Sequence, residues 1–210
     1  MSSRSILLIG AGGHAAACID VIEAEGRFTI MGLVGSEPEV GDRVLGYQVL
    51  GTDAHLPELL ARGAAALVAV GHIRTPEPRI RLFETLQRLR CELPSIVSPL
   101  AYVSRHATLG AGTIVLHGGI VNAGAAVGVN CIINSAALVE HDAEIGDHCH
   151  ISTAAVINGG ARIGSGTFVG SNATVRENVS VGERCVIGMS EQVRVDIKAG
   201  TIRSAGARRR

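Results

Sequence analysis

Residues 97–109 read Val-Ser-Pro-Leu-Ala-Tyr-Val-Ser-Arg-His-Ala-Thr-Leu, and an aliphatic side chain recurs in this stretch every six residues. The spacing continues to residue 193 without a change of register. The repeated positions are Val97, Val103, Leu109, Val115, Val121, Val127, Ile133, Val139, Ile145, Ile151, Ile157, Ile163, Val169, Val175, Val181, Ile187 and Val193. A fixed short period of this kind indicates a solenoid, in which each repeat packs only against its neighbours.

Two further positions of the hexapeptide are also restricted. A small residue such as Ala101, Ala107 or Ala125 stands four residues after each aliphatic, and Gly or Asn often follows the aliphatic directly, as at Gly110 and Asn122. We expect the large and small residues to point inward, and the Gly and Asn positions to accept positive φ at corners. Three hexapeptides then form one triangular coil of 18 residues, and parallel coils stack about 4.8 Å apart. The sequence predicts a parallel β-helix over residues 97–198.

The position before each aliphatic forms three columns when residues are stacked at intervals of 18. One column contains Ile114, Ile132, His150, Phe168 and Val186; a second contains Ile120, Leu138 and Val156; the third is polar and contains Thr108, Ala126, Glu144, Arg162 and Ser180. If this position faces outward, two apolar stripes require burial, and a closed ring of subunits would cover them. The inward columns hold Cys131, Cys149 and Cys185, for which we expect core packing rather than thiol chemistry.

Residues 1–92 have a different pattern. Strands are predicted at residues 5–9, 28–34 and 64–70, and helices at 14–25 and 79–90. Strands that alternate with helices indicate a small parallel α/β domain of the Rossmann-like type. Residues 91–99, which contain two prolines, are the predicted linker, and residues 199–210 a C-terminal tail.

The first strand ends in the glycine-rich turn Gly10-Ala-Gly12-Gly13-His14, which opens a helix. Free N–H groups at such a turn can receive a phosphate. Three interpretations stay open: a turn needed only for close packing, a nucleotide or sugar phosphate site, and a nicotinamide cofactor site. The last is disfavoured, because the second strand ends in Gly35-Ser36 rather than in an acidic residue.

Composition excludes several classes of partner. Lys and Arg together number 19, as do Asp and Glu, so the net charge of zero does not favour nucleic acid or an anionic membrane. No apolar stretch is long enough to span a bilayer, no leader peptide is evident, and the basic end Arg208–Arg210 is expected to be a solvated tail. Five cysteines without a CxxC motif are typical of a reducing cytoplasm.

Histidines provide the candidate chemistry. Some hexapeptide β-helices are zinc carbonic anhydrases, which use two histidines five residues apart and a third 36 residues before them. No two of the eight histidines here have either spacing, so we expect no metal site. The informative segments are instead Glu140-His141-Asp142 and His148-Cys-His150.

Together, the Gly-x-Gly-Gly-His turn, Gly71-His72 at a strand end, Ser98-Pro99, Glu-His-Asp and His-x-His resemble the bacterial sugar O- and N-acetyltransferases. This family of hexapeptide-repeat acyltransferases includes the sialic-acid O-acetyltransferase (NeuD) and UDP-4-amino-sugar N-acetyltransferase (PglD) types. The segment from residue 140 to 160 is most similar to the sialic-acid branch. The resemblance covers nearly the whole chain and implies a left-handed β-helix, a homotrimer, and acetyl-CoA as co-substrate. His141 and His150 are nine residues apart, which is half a coil, so if both serve one reaction we expect the site to lie between adjacent subunits.

The resemblance also implies roles for individual residues. His141 would be the general base and Asp142 would orient its ring, while the N–H of Gly159, one coil away, would stabilise the oxyanion. Contacts to acetyl-CoA are implied for His150, Gly159 and Phe168, and contacts to the sugar substrate for Gly10, Gly12, Gly13, His14, Gly71 and His72. For His117 and His148 we expect structural roles.

Two segments depart from the family pattern. The usual Asp pair after the second strand is replaced by Gly35-Ser36, which leaves a nucleotide-linked sugar or a free nonulosonic acid open as acceptor. The C-terminal stretch 199–206 lacks the Val-Pro-Ala common in relatives. We expect an acetyl-CoA-dependent transferase acting on an amino or hydroxyl group of a bacterial surface-glycan sugar. The alternative is a catalytically silent sugar-nucleotide-binding or assembly protein on the same scaffold.

Overall fold

A computed structural model describes residues 4–61 and 63–204. Its N-terminal part is a five-stranded sheet with three helices. The elements are β1 (Arg4–Ile9), α1 (Gly13–Glu25), β2 (Phe28–Val34), β3 (Arg43–Val44), β4 (Tyr47–Gly51), α2 (Leu56–Leu60), β5 (Ala65–Val68) and α3 (Glu77–Arg88). The strand order is β3-β4-β2-β1-β5, and all pairs are parallel except β3 with β4. The parallel Rossmann-like core agrees with the prediction, whereas β3, β4 and α2 were not predicted.

Strand β1 is buried on both faces, because helices cover both sides of the sheet. Ile6 and Leu8 pack in one cluster with residues of α1, and Leu7 and Ile9 pack in another with residues of α2 and α3. Successive side chains along a strand point to opposite faces of the sheet. The apolar residues of β1 therefore pack into the hydrophobic clusters on both faces.

The remainder of the chain is a left-handed parallel β-helix of two-residue strands. The strands are β6 (Ile96–Val97), β7 (Tyr102–Val103), β8 (Thr108–Leu109), β9 (Ile114–Val115), β10 (Ile120–Val121), β11 (Ala126–Val127), β12 (Ile132–Ile133), β13 (Leu138–Val139), β14 (Glu144–Ile145), β15 (His150–Ile151), β16 (Val156–Ile157), β17 (Arg162–Ile163), β18 (Phe168–Val169), β19 (Thr174–Val175), β20 (Ser180–Val181), β21 (Val186–Ile187), β22 (Gln192–Val193) and β23 (Ile202–Arg203). Every third strand pairs in one of three parallel sheets, as the 18-residue coil requires.

The stacking predicted from the six-residue period is confirmed residue by residue. Ile132 pairs with Ile114 on one side and with His150 on the other, in the predicted column. The repeated aliphatics from Val115 to Val193 are buried inside the prism together with the three column cysteines. The last strand, β23, lies beyond residue 198 and pairs with β21 in the β-helix sheet that begins with β6. The β-helix therefore continues into the predicted tail. Arg208–Arg210 lie outside the described residues.

The corners were assigned to the wrong hexapeptide position. Positive φ occurs three residues after the repeated aliphatics from Leu109 to Ile187, for example at Gly112 (φ 69°) and Asn130 (φ 53°), and not directly after them. Glycine directly after the aliphatic has another cause. A Cβ on Gly110 would lie 2.5 Å from backbone atoms of Gly128 in the next coil. These glycines therefore permit close stacking of coils, and the turn itself is made two residues later.

One of the two apolar stripes is covered within the chain. Ile114 and Ile132 are fully buried, and they share a cluster with Cys18 and Ile19 of α1. The expectation that subunits must cover both stripes is therefore wrong for the first, because the N-terminal domain packs against that face. On the second stripe Ile120 remains 37% exposed, so this face keeps an apolar surface that the N-terminal domain does not cover.

Among the described residues, no helix has the length and hydrophobicity needed to cross a membrane.

Candidate active site

His141 and Asp142 form a charged pair at a corner of the prism, directly after β13. His141 Nδ1 donates to Asp142 Oδ2 at 2.9 Å, and both side chains are exposed to solvent. This bond leaves Nε2 as the proton acceptor of the ring. The hydrogen bond to Asp142 raises the pKa of His141 above its ordinary value of 6.5. Asp142 occupies the left-handed corner position (φ 58°), which places its side chain beside the preceding residue.

Gly159 lies next to His141, one coil further along the same corner. A Cβ on Gly159 would approach His141 Nε2 to 2.7 Å, so only glycine leaves room for the ring. The two residues line an open concavity of about 670 Å³ together with Glu140, Asp142, Asn158, Gly160, Glu177 and Asn178. Three of these residues are acidic, so the concavity favours a cationic group.

His150 lies on another side of the prism, where β15 faces the N-terminal domain. Its Nδ1 donates to the carbonyl oxygen of His72 at 2.8 Å, and its Nε2 accepts from Asn134 Nδ2 at 3.1 Å. The side chain is 8% exposed. Burial lowers the pKa of His150 to about 4, so the ring is neutral at physiological pH.

A second groove, of about 690 Å³, begins at His150 and runs along the last coils. Phe168, in the next coil, packs edge-on against His150 with ring centroids 5.2 Å apart. The other lining residues are Ile73, Arg74, Ser152, Gly170, Ser171, Val186, Gly188, Met189, Ile202 and Ser204. Ile73, Met189 and Ile202 are all more than 60% exposed, which makes this groove the more apolar of the two.

A third cavity, of about 510 Å³, lies at the carboxyl ends of β1, β2 and β4 and includes Gly10 and Gly12. A Cβ on Gly10 would lie 2.8 Å from Val70 Cγ2, so this position requires glycine. A Cβ on Gly12 or Gly13 would have no atom within 4 Å, so the space beside these two residues is open. Helix α1 has no side-chain cap at its N-terminus. Its first N–H groups are therefore available to an anion.

His14 and His72 do not line this cavity. They lie between the domains, where His72 is 5.7 Å and His14 6.3 Å from His150 between ring centroids. Gly71 lies against the ring of His14. Burial lowers the pKa of both His14 and His72 to about 3.

The structure thus separates the predicted site residues into three groups. The first group, His141, Asp142 and Gly159, meets in the first concavity. In the second group, His150 and Phe168 border the apolar groove, and His14, Gly71 and His72 lie beside them. In the third group, Gly10 and Gly12 border the third cavity, and Gly13 follows them in the chain. Within residues 4–61 and 63–204, no residue lines both the His141 concavity and the His150 groove. Among the described residues, no three His, Cys, Asp or Glu side chains lie close enough together to hold a metal ion.

Comparison with known families matches both parts of the chain. Residues 5–86 match the PglD N-terminal domain, and residues 160–190 match the bacterial transferase hexapeptide (six repeats). A search of the curated proteins found no match.

Comparison with solved structures matches nearly the full length. A histidine-to-asparagine mutant of perosamine N-acetyltransferase from Caulobacter crescentus, in complex with CoA and GDP-perosamine, is 31% identical; the match covers 96% of this chain and 93% of that chain, with a TM-score of 0.90. The acetyltransferase domain of PglB from Neisseria gonorrhoeae, in complex with acetyl coenzyme A, is 30% identical, with 96% of each chain covered and a TM-score of 0.88. The chain belongs to the sugar N-acetyltransferase family.

Membership in this family confirms the predicted acyltransferase class. WeeI from Acinetobacter baumannii is 18% identical over 95% of each chain with a TM-score of 0.64, and this match shows the fold alone. As a sugar N-acetyltransferase, the chain joins an α/β domain to a hexapeptide β-helix.

Two residues that the sequence analysis did not identify belong to the surroundings of these sites. Arg79 is fully buried and donates to the carbonyl oxygens of Val68, Val70 and Asn130, so it connects the two domains. Glu39 lines the third cavity and bonds to Ser36. The Ser-x-x-Glu capping pattern at Ser36 could have indicated the contact of Glu39 with Ser36. No local sequence pattern indicates the contacts of Arg79.

Proposed function

We propose that this chain transfers the acetyl group of acetyl-CoA to the amino group of a nucleotide-linked amino sugar. The observation that carries the proposal is the pair His141–Asp142, whose free Nε2 faces an open concavity against the backbone of Gly159. The two structurally similar N-acetyltransferases, which hold CoA with GDP-perosamine and acetyl coenzyme A, support the same choice of substrates.

The acidic lining of the concavity favours an amine over a hydroxyl acceptor. An amino sugar arrives largely as an ammonium cation, which Glu140, Asp142 and Glu177 attract. It must lose a proton to the medium before it becomes a nucleophile. The free amine then attacks the thioester carbonyl, forming the C–N bond while the carbonyl electrons move to oxygen.

His141 accepts the second proton from the attacking nitrogen through Nε2. Asp142 would stabilise the resulting imidazolium, and the backbone N–H of Gly159, one coil from His141, is the proposed donor to the developing oxyanion. When the intermediate collapses, the C–S bond breaks and the proton passes from His141 to the CoA thiolate. Base catalysis of this kind contributes about 10²–10⁴ in rate.

The apolar groove next to His150 is the proposed site for acetyl-CoA. Phe168 and the exposed Ile73, Met189 and Ile202 provide an apolar wall for the pantetheine arm, and Arg74 a cation for its phosphates. Since this groove and the His141 concavity share no residue, we propose a homotrimer in which His141 of one subunit meets His150 of the next. The exposed stripe around Ile120 would be covered in that assembly.

Within the N-terminal domain, the turn at Gly10, Gly12 and Gly13 would hold the diphosphate of the acceptor. Five free cysteines agree with a reaction in the reducing cytoplasm.

The test is thiol release from acetyl-CoA with a panel of UDP- and GDP-linked amino sugars, CMP-sialic acid and free nonulosonic acids, with mass spectrometry of the products. We expect an N-acetylated nucleotide sugar, and loss of activity by at least about 10²-fold in His141→Ala. Thiol release only with a nonulosonic acid would overturn the assigned acceptor. No release with any acceptor would favour a silent binding protein.

A further inference from the structure

The second strand of the α/β domain ends without the acidic residue that Rossmann-type sites use to bind ribose. In such sites a carboxylate at the end of this strand accepts hydrogen bonds from the ribose hydroxyls. Here β2 ends at Val34 and is followed by Gly35 and Ser36. Neither residue has a carboxylate, so the sequence provides no acidic side chain directly after β2.

A carboxylate from further along the chain lies at this position. Glu39 Oε2 accepts from the backbone N–H of Ser36 at 2.7 Å and from Ser36 Oγ at 2.6 Å, which folds the side chain back over the strand end. A Cβ on Gly35 would lie 2.9 Å from this oxygen and 3.2 Å from Cβ of Ala11 in the glycine-rich turn. The carboxylate therefore occupies the space into which a side chain at residue 35 would project.

The surrounding cavity has the form of a nucleoside diphosphate site. It is bounded by the glycine-rich turn on one side, by Glu39 at the end of β2, and by Thr52, Asp53 and Arg81 opposite. If the phosphates are held at the uncapped start of α1, as proposed above, the sugar attached to them would extend toward the neighbouring strand end. Glu39 stands at that strand end.

We propose that Glu39 recognises the ribose hydroxyls of the nucleoside diphosphate in the acceptor, in place of the missing acidic residue at the strand end. The inference rests on the proposed function and names the residue that selects a ribonucleotide. The hydrogen bonds from Ser36 lower the pKa of Glu39, which keeps the carboxylate ionised. Both of these bonds use Oε2, and Oε1 makes no hydrogen bond within the described part of the chain.

Glu39→Gln separates recognition from local structure. The amide oxygen of Gln can still accept both bonds from Ser36, so the turn at residues 36–39 is retained, while the charge and the second acceptor oxygen are lost. Glu58→Gln is the matched control, because Glu58 is exposed on α2 and does not line the cavity. Gly35→Ala is a second variant that keeps the carboxylate but displaces it.

The experiment is calorimetric titration of the full-length protein with GDP, UDP and their 2′-deoxy forms, with thermal melting to confirm folding. We expect wild type and Glu58→Gln to prefer the ribonucleotides by about tenfold or more, as one hydrogen bond to a charged group provides. In Glu39→Gln and Gly35→Ala the preference should fall to about twofold or less.

A folded Glu39→Gln variant that keeps the full ribose preference would overturn the assignment. So would a variant that keeps this preference and instead loses discrimination between GDP and UDP, because the carboxylate would then bind the base. If wild type binds no nucleotide at all, the proposed nucleotide-linked acceptor is wrong, and the inference falls with it.

Discussion

The imidazole of His141 lies against the backbone of Gly159, and a Cβ at residue 159 would come within 2.7 Å of Nε2 and 2.8 Å of Cε1. The two residues are 18 positions apart, which is one full coil. The β-helix therefore brings a base and a backbone N–H to the same corner by repetition alone. Backbone bonds hold both residues at this corner, since Gly160 N donates to the carbonyl of His141 and Asn178 N donates to the carbonyl of Gly159, each at 3.0 Å.

Gly159→Ala should reduce kcat by about 10²-fold, because the added methyl displaces the ring from its position beside the N–H donor. The nearest atoms to that methyl all belong to the exposed His141 side chain, so we expect the melting temperature to stay unchanged. Steady-state kinetics and thermal melting check both statements. Unaltered kcat in a folded variant would show that the ring does not need this position.

On the acidic side of the pH profile, the fall in kcat/KM should reflect protonation of His141. Because the hydrogen bond that His141 donates to Asp142 raises the pKa of this base, activity should fall on acidification from a pH above the ordinary 6.5. Asp142→Asn removes the charge, so the fall in kcat/KM should move to lower pH and kcat should decrease. A fall that keeps its position in Asp142→Asn would exclude His141 as the titrating group.

Mixed subunits should test whether the active site is shared. Separately inactive His141→Ala and His150→Ala chains, when unfolded and refolded together, should regain about a quarter of the wild-type sites if each site joins His141 and His150 of neighbours in a closed ring. Each variant refolded alone is the control. Recovery of no activity, with trimers present by light scattering, would place each site within one subunit.

Replacing Arg79 should destabilise the protein strongly. Arg79→Met keeps the aliphatic stem but leaves the carbonyls of Val68, Val70 and Asn130 without their donor. At about 1–3 kcal/mol for each buried unsatisfied group, the free energy of unfolding should fall by at least about 3 kcal/mol. Urea denaturation measures this, and the exposed Arg88→Met should change stability by no more than about 0.5 kcal/mol. Equal effects of the two substitutions would contradict the role of Arg79.

The histidines between the domains should make stability dependent on pH. The pKa values of His14 and His72 are lowered to about 3 and that of His150 to about 4, so all three stay neutral in the folded state where the unfolded chain is protonated. Between pH 6.5 and about 4 the unfolded state binds more protons, and stability falls as pH drops. Each group adds up to about 1.4 kcal/mol per pH unit to this slope.

His72→Gln removes one of these groups and should make the dependence shallower between pH 7 and pH 5. Urea denaturation at both pH values measures the slope, and His106→Gln, on the solvent-exposed side of the prism, should leave it unchanged. The same slope in wild type and His72→Gln would mean that His72 is not kept neutral by burial.

The β-helix could be predicted in detail because its determinants are local and repeated. A hexapeptide that places Val139, Ile145 and Ile151 inward also fixes which residues stack, and the observed pairing of His150 with Ile132 and Phe168 follows. The positive-φ corners were misplaced because glycine serves two purposes in this repeat. At Gly110 it permits coil stacking, and at Gly112 it makes the turn.

Only the tertiary structure decided the relationships between residues that no repeat connects. It placed helix α1 over Ile114 and Ile132, and it inserted the guanidinium of Arg79 between the domains. The sequence by itself determined the prism, its 18-residue coil and the corner shared by His141 and Gly159, because these depend on period alone. The covered stripe and the buried histidines depend on how two differently built domains pack, and no short-range pattern encodes that contact.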